Sequence, residues 1–292
     1  MRAKSSKKIS HLVEFAGLRF AIAVMHILPL DWATGLMGYC WEKVAPRTKR
    51  HPRALAHLAA AFPHHTPAEN DAIARRMWNN LGHVAAETVL LDKLGADPHR
   101  INVIDRDVFD RVQKSGKAAV YVTLHAGNWE TAGLCARAVG SGIAGVYQPL
   151  SNPYSERYLA ALRRPFYAHG LFRKAHNTGP KLMSLLKSGG SVAFVADVRD
   201  RRGVDIEFFG KAATATHIPA LMARVFDLPL IAVYAKRTKG SNFDVYAQEL
   251  QQVRTNDKRA DATATTQRIH NCFEAWIRKD PAQWMWILKK WR

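Results

Sequence analysis

Four short apolar, partly β-branched runs punctuate the middle of the chain: AAVYVTL (118–124), GIAGVYQ (142–148), SVAFVAD (191–197) and LIAVYAKR (230–237). Continuous runs of this length, bounded by polar or turn residues, fit strands buried on both faces. Segments of helical character separate them, at about 128–139, 153–168, 178–188 and 217–227. Alternation of this kind predicts an α/β fold with a mixed, partly parallel central sheet flanked by helices. NFDVYAQEL (242–250) predicts a further strand, 258–279 a helix, and the aromatic tail QWMWILKKWR closes the chain.

The N-terminal third reads differently. TPAE, Thr66 to Glu69, is a capping box with proline at the first helical position, and it opens a helix to about Leu91. The basic start MRAKSSKK is followed by the apolar stretch Ile9 to Leu30. Its longest uncharged run, Phe20 to Leu30, has 11 residues, against about 20 for a spanning helix. Glu14 and Arg19 interrupt anything longer, and no small-residue cleavage site follows, so a secretory signal is not expected. An amphipathic helix in a membrane interface fits this pattern best, with an ordinary core helix and a single tilted span as the alternatives. The predicted organisation is therefore a helical, membrane-associating extension over 1–95 and an α/β domain over 96–292.

Charge narrows the choice of partners. The 292 residues include 43 Lys and Arg against 24 Asp and Glu, a formal +19. Such an excess suits an anionic partner: nucleic acid, an anionic membrane or a phosphorylated substrate. The excess is uneven, for 157–196 contains no acidic residue but holds Arg157, Arg163, Arg164, Arg173, Lys174, Lys181 and Lys187. A second basic run is KVAPRTKRHPR, 43–53. The three cysteines (Cys40, Cys135, Cys272) form no CxxC pair and suggest neither a disulfide framework nor a zinc site.

The candidate chemistry lies in YVTLHAGNWETAG, 121–133. In open α/β sheets, sites gather beyond the carboxyl ends of strands, which is where this pattern puts His125. Gly127 permits a tight turn, and Asn128 can cap the helix that follows. Glu130, in that helix's first turn, can point back at the imidazole, giving a general base with a carboxylate orienter. A substrate hydroxyl could then be activated without a protein nucleophile. The same residues equally fit a capping loop with an incidental histidine. A metal set with His169 or His176 lacks any H-x3-H or HExxH unit. GSGIAG, 140–145, matches a dinucleotide fingerprint but follows a helix and leads into a strand, so a glycine-rich turn is the better reading.

HAGNWE resembles the H-x4-[D/E] block of the glycerolipid acyltransferase superfamily. More narrowly, the chain resembles the lipid A biosynthesis late acyltransferases of lauroyl/myristoyl type. LAAAFPHHTPAE, YQPLSNPYSERYLAALRRPF, GGSVAFVADVRDRRGVDIEFFGKAATAT and DPAQWMWILKKW are similar to successive blocks of that family, in order, over about 240 residues. The resemblance implies transfer of a fatty acyl chain from acyl carrier protein to a hydroxyl of a phosphorylated, Kdo-bearing lipid A precursor. It implies action at the cytoplasmic face of the inner membrane, with no cofactor beyond the acyl-ACP donor. His125 and Glu130 would be catalytic. The arginine after the NP segment maps onto Arg164 or its neighbour Arg163, and the family's Asp-Gln pair onto Asp197.

Two departures stand out: Val198 replaces the glutamine after the aspartate, and the ending reads ILKKW rather than HRRW. Both bear on acceptor or chain-length preference more than on reaction type. Asn128, Gly210 and Lys211 join the arginines and Asp197 as candidate substrate contacts, the last pair because a lysine ahead of a helix starting near His217 can bind an anion. Trp284, Trp286 and Trp291 fit either a lipid interface or a core. The rival readings are a basic nucleic-acid-binding protein, for which no helix-turn-helix, zinc-finger or RNP signature is present, a hydrolase using His125 to activate water, and an acyltransferase of the same superfamily acting on another phosphorylated or glycosylated lipid, against which the NP, FFG and QWMW blocks argue. Nucleic acid is not an expected partner.

Overall fold

The computed structural model describes residues 2–291. Helices α1 (Arg2–Ile27), α2 (Leu30–Val44), α3 (His51–Ala61), α4 (Pro67–Val89) and α5 (Leu91–Ala96) come first. There follow β1 (Ile101–Val103), α6 (Arg106–Lys114), β2 (Val120–Thr123), α7 (Ala132–Ala138), β3 (Ile143–Tyr147), α8 (Pro153–Arg163), β4 (Leu171–Arg173), α9 (Thr178–Lys187) and β5 (Ser191–Val195). The hairpin β6 (Arg199–Phe208) and β7 (Lys211–Ala215), then α10 (Ile218–Phe226), β8 (Leu230–Arg237), β9 (Phe243–Glu249) and α11 (Lys258–Lys279) complete the body.

Seven strands form one sheet in the order β1-β9-β8-β2-β5-β3-β4. Strands β8, β2, β5, β3 and β4 run parallel, while β9 is antiparallel to β8 and carries β1 with it. The expected α/β class holds, with a mostly parallel sheet. The apolar runs read as strands because helices cover both faces. Val120, Val122 and Leu124 point into a core shared with α3, α4, α9, α10 and α11. Tyr121, between them, points to a second core beneath α6 and α7. This period of two is the strand's own geometry.

The capping box at Thr66 forms as expected, with both reciprocal bonds present. The predicted helix 128–139 breaks into a 3₁₀ turn, Trp129–Thr131, and then α7. Helix 153–168 likewise gives way after Arg163 to the 3₁₀ turn Arg164–Phe166, where Pro165 enters. Strands β1 and β4 and the β6–β7 hairpin were not foreseen. The hairpin forms a separate two-stranded sheet, held on α11 by Phe209 N–H to Glu274 (2.6 Å) and Glu207 N–H to Gln267 (2.8 Å).

Helix α1 runs unbroken through Glu14 and Arg19. Both charges engage α8: Asn152 donates to Glu14 Oε2 (3.1 Å) and to the His11 carbonyl (2.8 Å), and Arg19 lies 4.5 Å from the Tyr158 ring centroid. Phe15 packs on Tyr154 and Tyr158. Taken as one helix, the stretch meets the length of a span, the alternative that the sequence left open. Lys8–Ile27, 20 residues of mean hydropathy 1.2, is long and apolar enough to cross a membrane, and only 6% of it is buried.

Candidate active site

Parallel pairing sets the geometry of the site. Strands β2 and β5 are neighbours with Thr123 opposite Val195. Two residues further along each strand stand His125 and Asp197. The register therefore brings them face to face at the carboxyl edge of the sheet, where open α/β folds place their sites.

Asp197 is fully buried and receives three N–H groups. The His125 ring meets Oδ1 through Nδ1 at 2.7 Å, the His125 backbone N–H donates to Oδ2 at 2.9 Å, and Trp284 Nε1 donates to Oδ2 at 2.8 Å. Burial pushes the Asp197 carboxyl up, but the adjacent His125 ring and these donors outweigh it and bring it down to about 2. An ionised carboxylate can only accept, so Nδ1 is the nitrogen that donates to it, and Nε2 is the one that carries the lone pair of a neutral ring. No hydrogen bond engages Nε2 among the described residues, and the side chain is 19% exposed. The ring is braced on its edge by Trp129, centroids 4.9 Å apart.

Glu130 does not orient this ring. Arg163 engages both of its oxygens, with Nε to Oε2 at 2.6 Å and Nη2 to Oε1 at 2.7 Å. A 3₁₀ turn in place of a helical one carries the glutamate toward the end of α8. The expected His125–Glu130 pair is thus a His125–Asp197 pair, with Glu130 and Arg163 tying the loop to α8. Of the two adjacent arginines, Arg163 faces inward and Arg164 is exposed. Arg163 ends α8 and Arg164 opens the 3₁₀ turn, so the two side chains leave the backbone in different directions.

The loop between them is fixed from three sides. Gly127 N–H donates to the Gln283 carbonyl (3.1 Å), Asn128 N–H to that of Ala235 (3.2 Å), and Met285 N–H to that of His125 (2.9 Å). Gly127 has φ +58°, and a Cβ there would sit 1.9 Å from the Ala235 carbonyl oxygen. Asn128 is fully buried. Its Oδ1 accepts from Glu130 N–H (2.8 Å) and its Nδ2 donates to Glu87 (2.7 Å), so it caps the turn rather than facing a substrate. Glu87, 0% exposed, is held by Arg237, which also donates to Asn80 (2.8 Å), and Asn80 reaches the Gly127 carbonyl (3.0 Å). Breaking a buried ion pair of this kind costs about 3–5 kcal/mol. Sequence reading missed Glu87, Arg237, Asn80 and Gln283. They lie on α4, β8 and the C-terminal tail, and only the fold brings them together.

Gly210 and Lys211 lie elsewhere. Phe209 and Gly210 make the positive-φ turn of the β6–β7 hairpin, and Lys211 opens β7 rather than preceding α10. The tail tryptophans are core: Trp284 and Trp286 are both 0% exposed. Lys290, at the altered ending, is also fully buried. It lies 2.9 Å from His270 Nε2 and 5.1 Å from the Phe208 ring, and burial lowers its ammonium to about 8.

Near His125, between α7 and the sheet, lies a narrow apolar cavity of about 40 Å³. Trp129 and Thr123 line its end nearest the histidine, and Phe109, Ala136, Ser141 and Ile143 line it elsewhere. An imidazole nitrogen without a hydrogen-bond partner, close to an apolar pocket, suits a reaction on a lipid chain. A family model described as bacterial lipid A biosynthesis acyltransferase matches residues 2–292. The chain belongs to this family. No curated protein shows significant similarity to it. In this lipid A acyltransferase, no group of three or more metal-ligating His, Cys, Asp or Glu side chains gathers among the described residues.

Proposed function

We propose that this lipid A acyltransferase takes its acyl chain from acyl carrier protein and places it on a hydroxyl of a phosphorylated, Kdo-bearing precursor. His125 acts as general base and Asp197 as its orienter, with no cofactor besides the acyl-ACP donor. The observation that carries the reading is the unengaged Nε2 of His125 beside an apolar cavity, with Nδ1 committed to Asp197.

The steps balance without a protein nucleophile. Nε2 takes the acceptor hydroxyl proton as the oxygen attacks the thioester carbonyl. The tetrahedral intermediate then collapses, the carrier's thiolate leaves, and the imidazolium returns the proton to it. General-base assistance of this kind is worth about 10²–10⁴-fold. Glu130 and Arg163 hold the loop that carries Trp129, and the cavity holds the acyl chain.

Charge supports both substrates. Arg173 and Lys174 are exposed where β4 ends, on the same sheet edge as His125 and inside the acid-free 157–196. Acyl carrier protein is acidic and the acceptor carries phosphates and sugar carboxylates, so both are drawn to such an edge. The exposed apolar face of α1 and a lipid acceptor support work at the cytoplasmic face of the inner membrane. The test is purified enzyme with acyl-ACP or acyl-CoA and an acceptor with or without Kdo, read by mass spectrometry. Acyl gain only with acyl-ACP and the Kdo-bearing acceptor is expected. Release of free fatty acid at the same rate without acceptor contradicts the proposal and makes the protein a hydrolase.

A further inference from the structure

Helix α2 is inside out for a protein in water. It buries its small residues Ala33, Thr34 and Gly38, together with Leu30. It exposes its large apolar ones: Trp32 is 74% exposed, Leu36 57% and Tyr39 58%. At 100° per residue, Trp32, Leu36, Tyr39 and Lys43 fall within about 60° of one another, a single stripe along the helix.

The helix cannot roll to hide this stripe. Its opposite face lies so close to α4 that a Cβ on Gly82 would meet the Met37 carbonyl oxygen at 2.5 Å. Asp31 is pinned by Arg100 (3.1 Å) and by Ser241 N–H (2.9 Å), and Thr34 meets the Ser241 hydroxyl at 3.1 Å in the interior. The stripe is therefore a fixed outward feature.

Its surroundings say what covers it. The stripe ends in Lys43, whose ammonium lies 5.4 Å from the Tyr39 ring centroid. Arg47, Lys49 and Arg50 follow, all exposed, and no acidic residue occurs between Glu42 and Glu69. Lys43 has Glu42 at 3.9 Å, and the three cations that follow it leave a net positive flank; tryptophan and tyrosine beside aliphatic residues, flanked by such an excess, form the composition that settles into the headgroup layer of an anionic bilayer.

We propose that the Trp32–Leu36–Tyr39 stripe and the cations after it form a second membrane contact, separate from α1, that docks the catalytic body on an anionic lipid surface. The inference rests on the reading above that the enzyme works at a membrane. Two contacts on different helices fix orientation as well as attachment.

The test uses the full chain with an environment-sensitive nitrobenzoxadiazole probe at Leu36→Cys in a Cys40→Ser background. The other two cysteines, Cys135 and Cys272, are buried. Protein is floated with phosphatidylcholine vesicles with and without phosphatidylglycerol. A blue shift on vesicle addition, and quenching by brominated acyl chains, are expected. The variant K43Q/R47Q/K49Q/R50Q should bind phosphatidylglycerol vesicles about tenfold or more weakly at low salt. W32S/L36S/Y39S should weaken binding to both kinds while keeping transfer to detergent-dispersed acceptor. If the protein floats while the probe stays wet and unquenched, α1 alone makes the contact and the α2 proposal is overturned. If the unaltered protein does not float at all, the membrane reading itself fails. A blue shift without vesicles, rising with protein concentration, would assign the stripe to a second copy of the chain and overturn the proposal as well.

Discussion

Replacing Asp197 by asparagine keeps the side chain's size and removes its charge. The consequence can be worked out from the three donors around it. Oδ2 accepts from two N–H groups that cannot reverse, the His125 backbone and Trp284 Nε1. The asparagine oxygen must therefore take that position, which turns its NH₂ toward His125 Nδ1. Nδ1 then has to accept, the ring proton moves to Nε2, and the base that should meet the substrate is occupied. We expect kcat to fall by about 10²–10⁴-fold, or ~3–5 kcal/mol of barrier. Stability should fall too. The carboxyl is held at about 2 against an ordinary 3.8, which corresponds to ~2 kcal/mol. Because this folded-state value is depressed, that contribution is complete above about pH 4 and is lost as pH falls toward 2. The variant should lack this part of the acid transition. Transfer is measured by mass spectrometry of the acceptor, and stability by urea unfolding across the acid range. Near-normal kcat in Asp197→Asn, with Glu130→Gln inactive, would refute the assignment and return the orienting role to Glu130.

Gly127→Ala should abolish transfer and lower the Tm, because its Cβ would lie 1.9 Å from the Ala235 carbonyl oxygen; an active, equally stable variant in thermal unfolding would contradict the packing of the loop. Arg163→Ala should cut transfer strongly, by about tenfold or more, since it frees a partly buried Glu130, whereas Arg164→Ala should change it little; the reverse order in a side-by-side assay would contradict the assignment. Ala136→Phe, which intrudes into the cavity, should shift the preferred donor toward shorter acyl chains, each methylene being worth about 1–3 kcal/mol; an unchanged preference in competition between acyl-ACPs would place the acyl chain elsewhere.

How much of this was legible depended on the range of the signal. The strands were legible because both of their faces are buried and the apolar runs are continuous, and α11 matches its predicted span of 258–279. Hairpin β6–β7 was not, because β6 begins RDRRG and exposes much of its length, so Gly210 and Lys211 were read as a helix approach. His125 was legible as a histidine just past a strand. Its partner was not, because H-x4-E is a local spacing while His125 and Asp197 are 72 positions apart. Both stand two residues beyond a strand end, but pairing them requires knowing that β5 returns between β2 and β3. The same limit hid Glu87 and Arg237, 150 positions apart. The choice between Arg163 and Arg164 turned on a helix phase that Pro165 interrupts. The charges on α1 were read as breaks in an apolar run because their partners, Asn152 capping α8 and Tyr158 within it, lie far along the chain.

The central claim is that His125 takes the acceptor's proton, and His125→Ala tests it most directly. The substitution removes the ring and leaves the strand, and the Asp197 bonds to the backbone and Trp284 can remain. Purified variant and unaltered enzyme are compared in single-turnover transfer of the acyl chain to the lipid A precursor, with circular dichroism confirming the fold. The account predicts a native spectrum with transfer reduced by at least about 10²-fold. A native spectrum with transfer near the unaltered rate would contradict it.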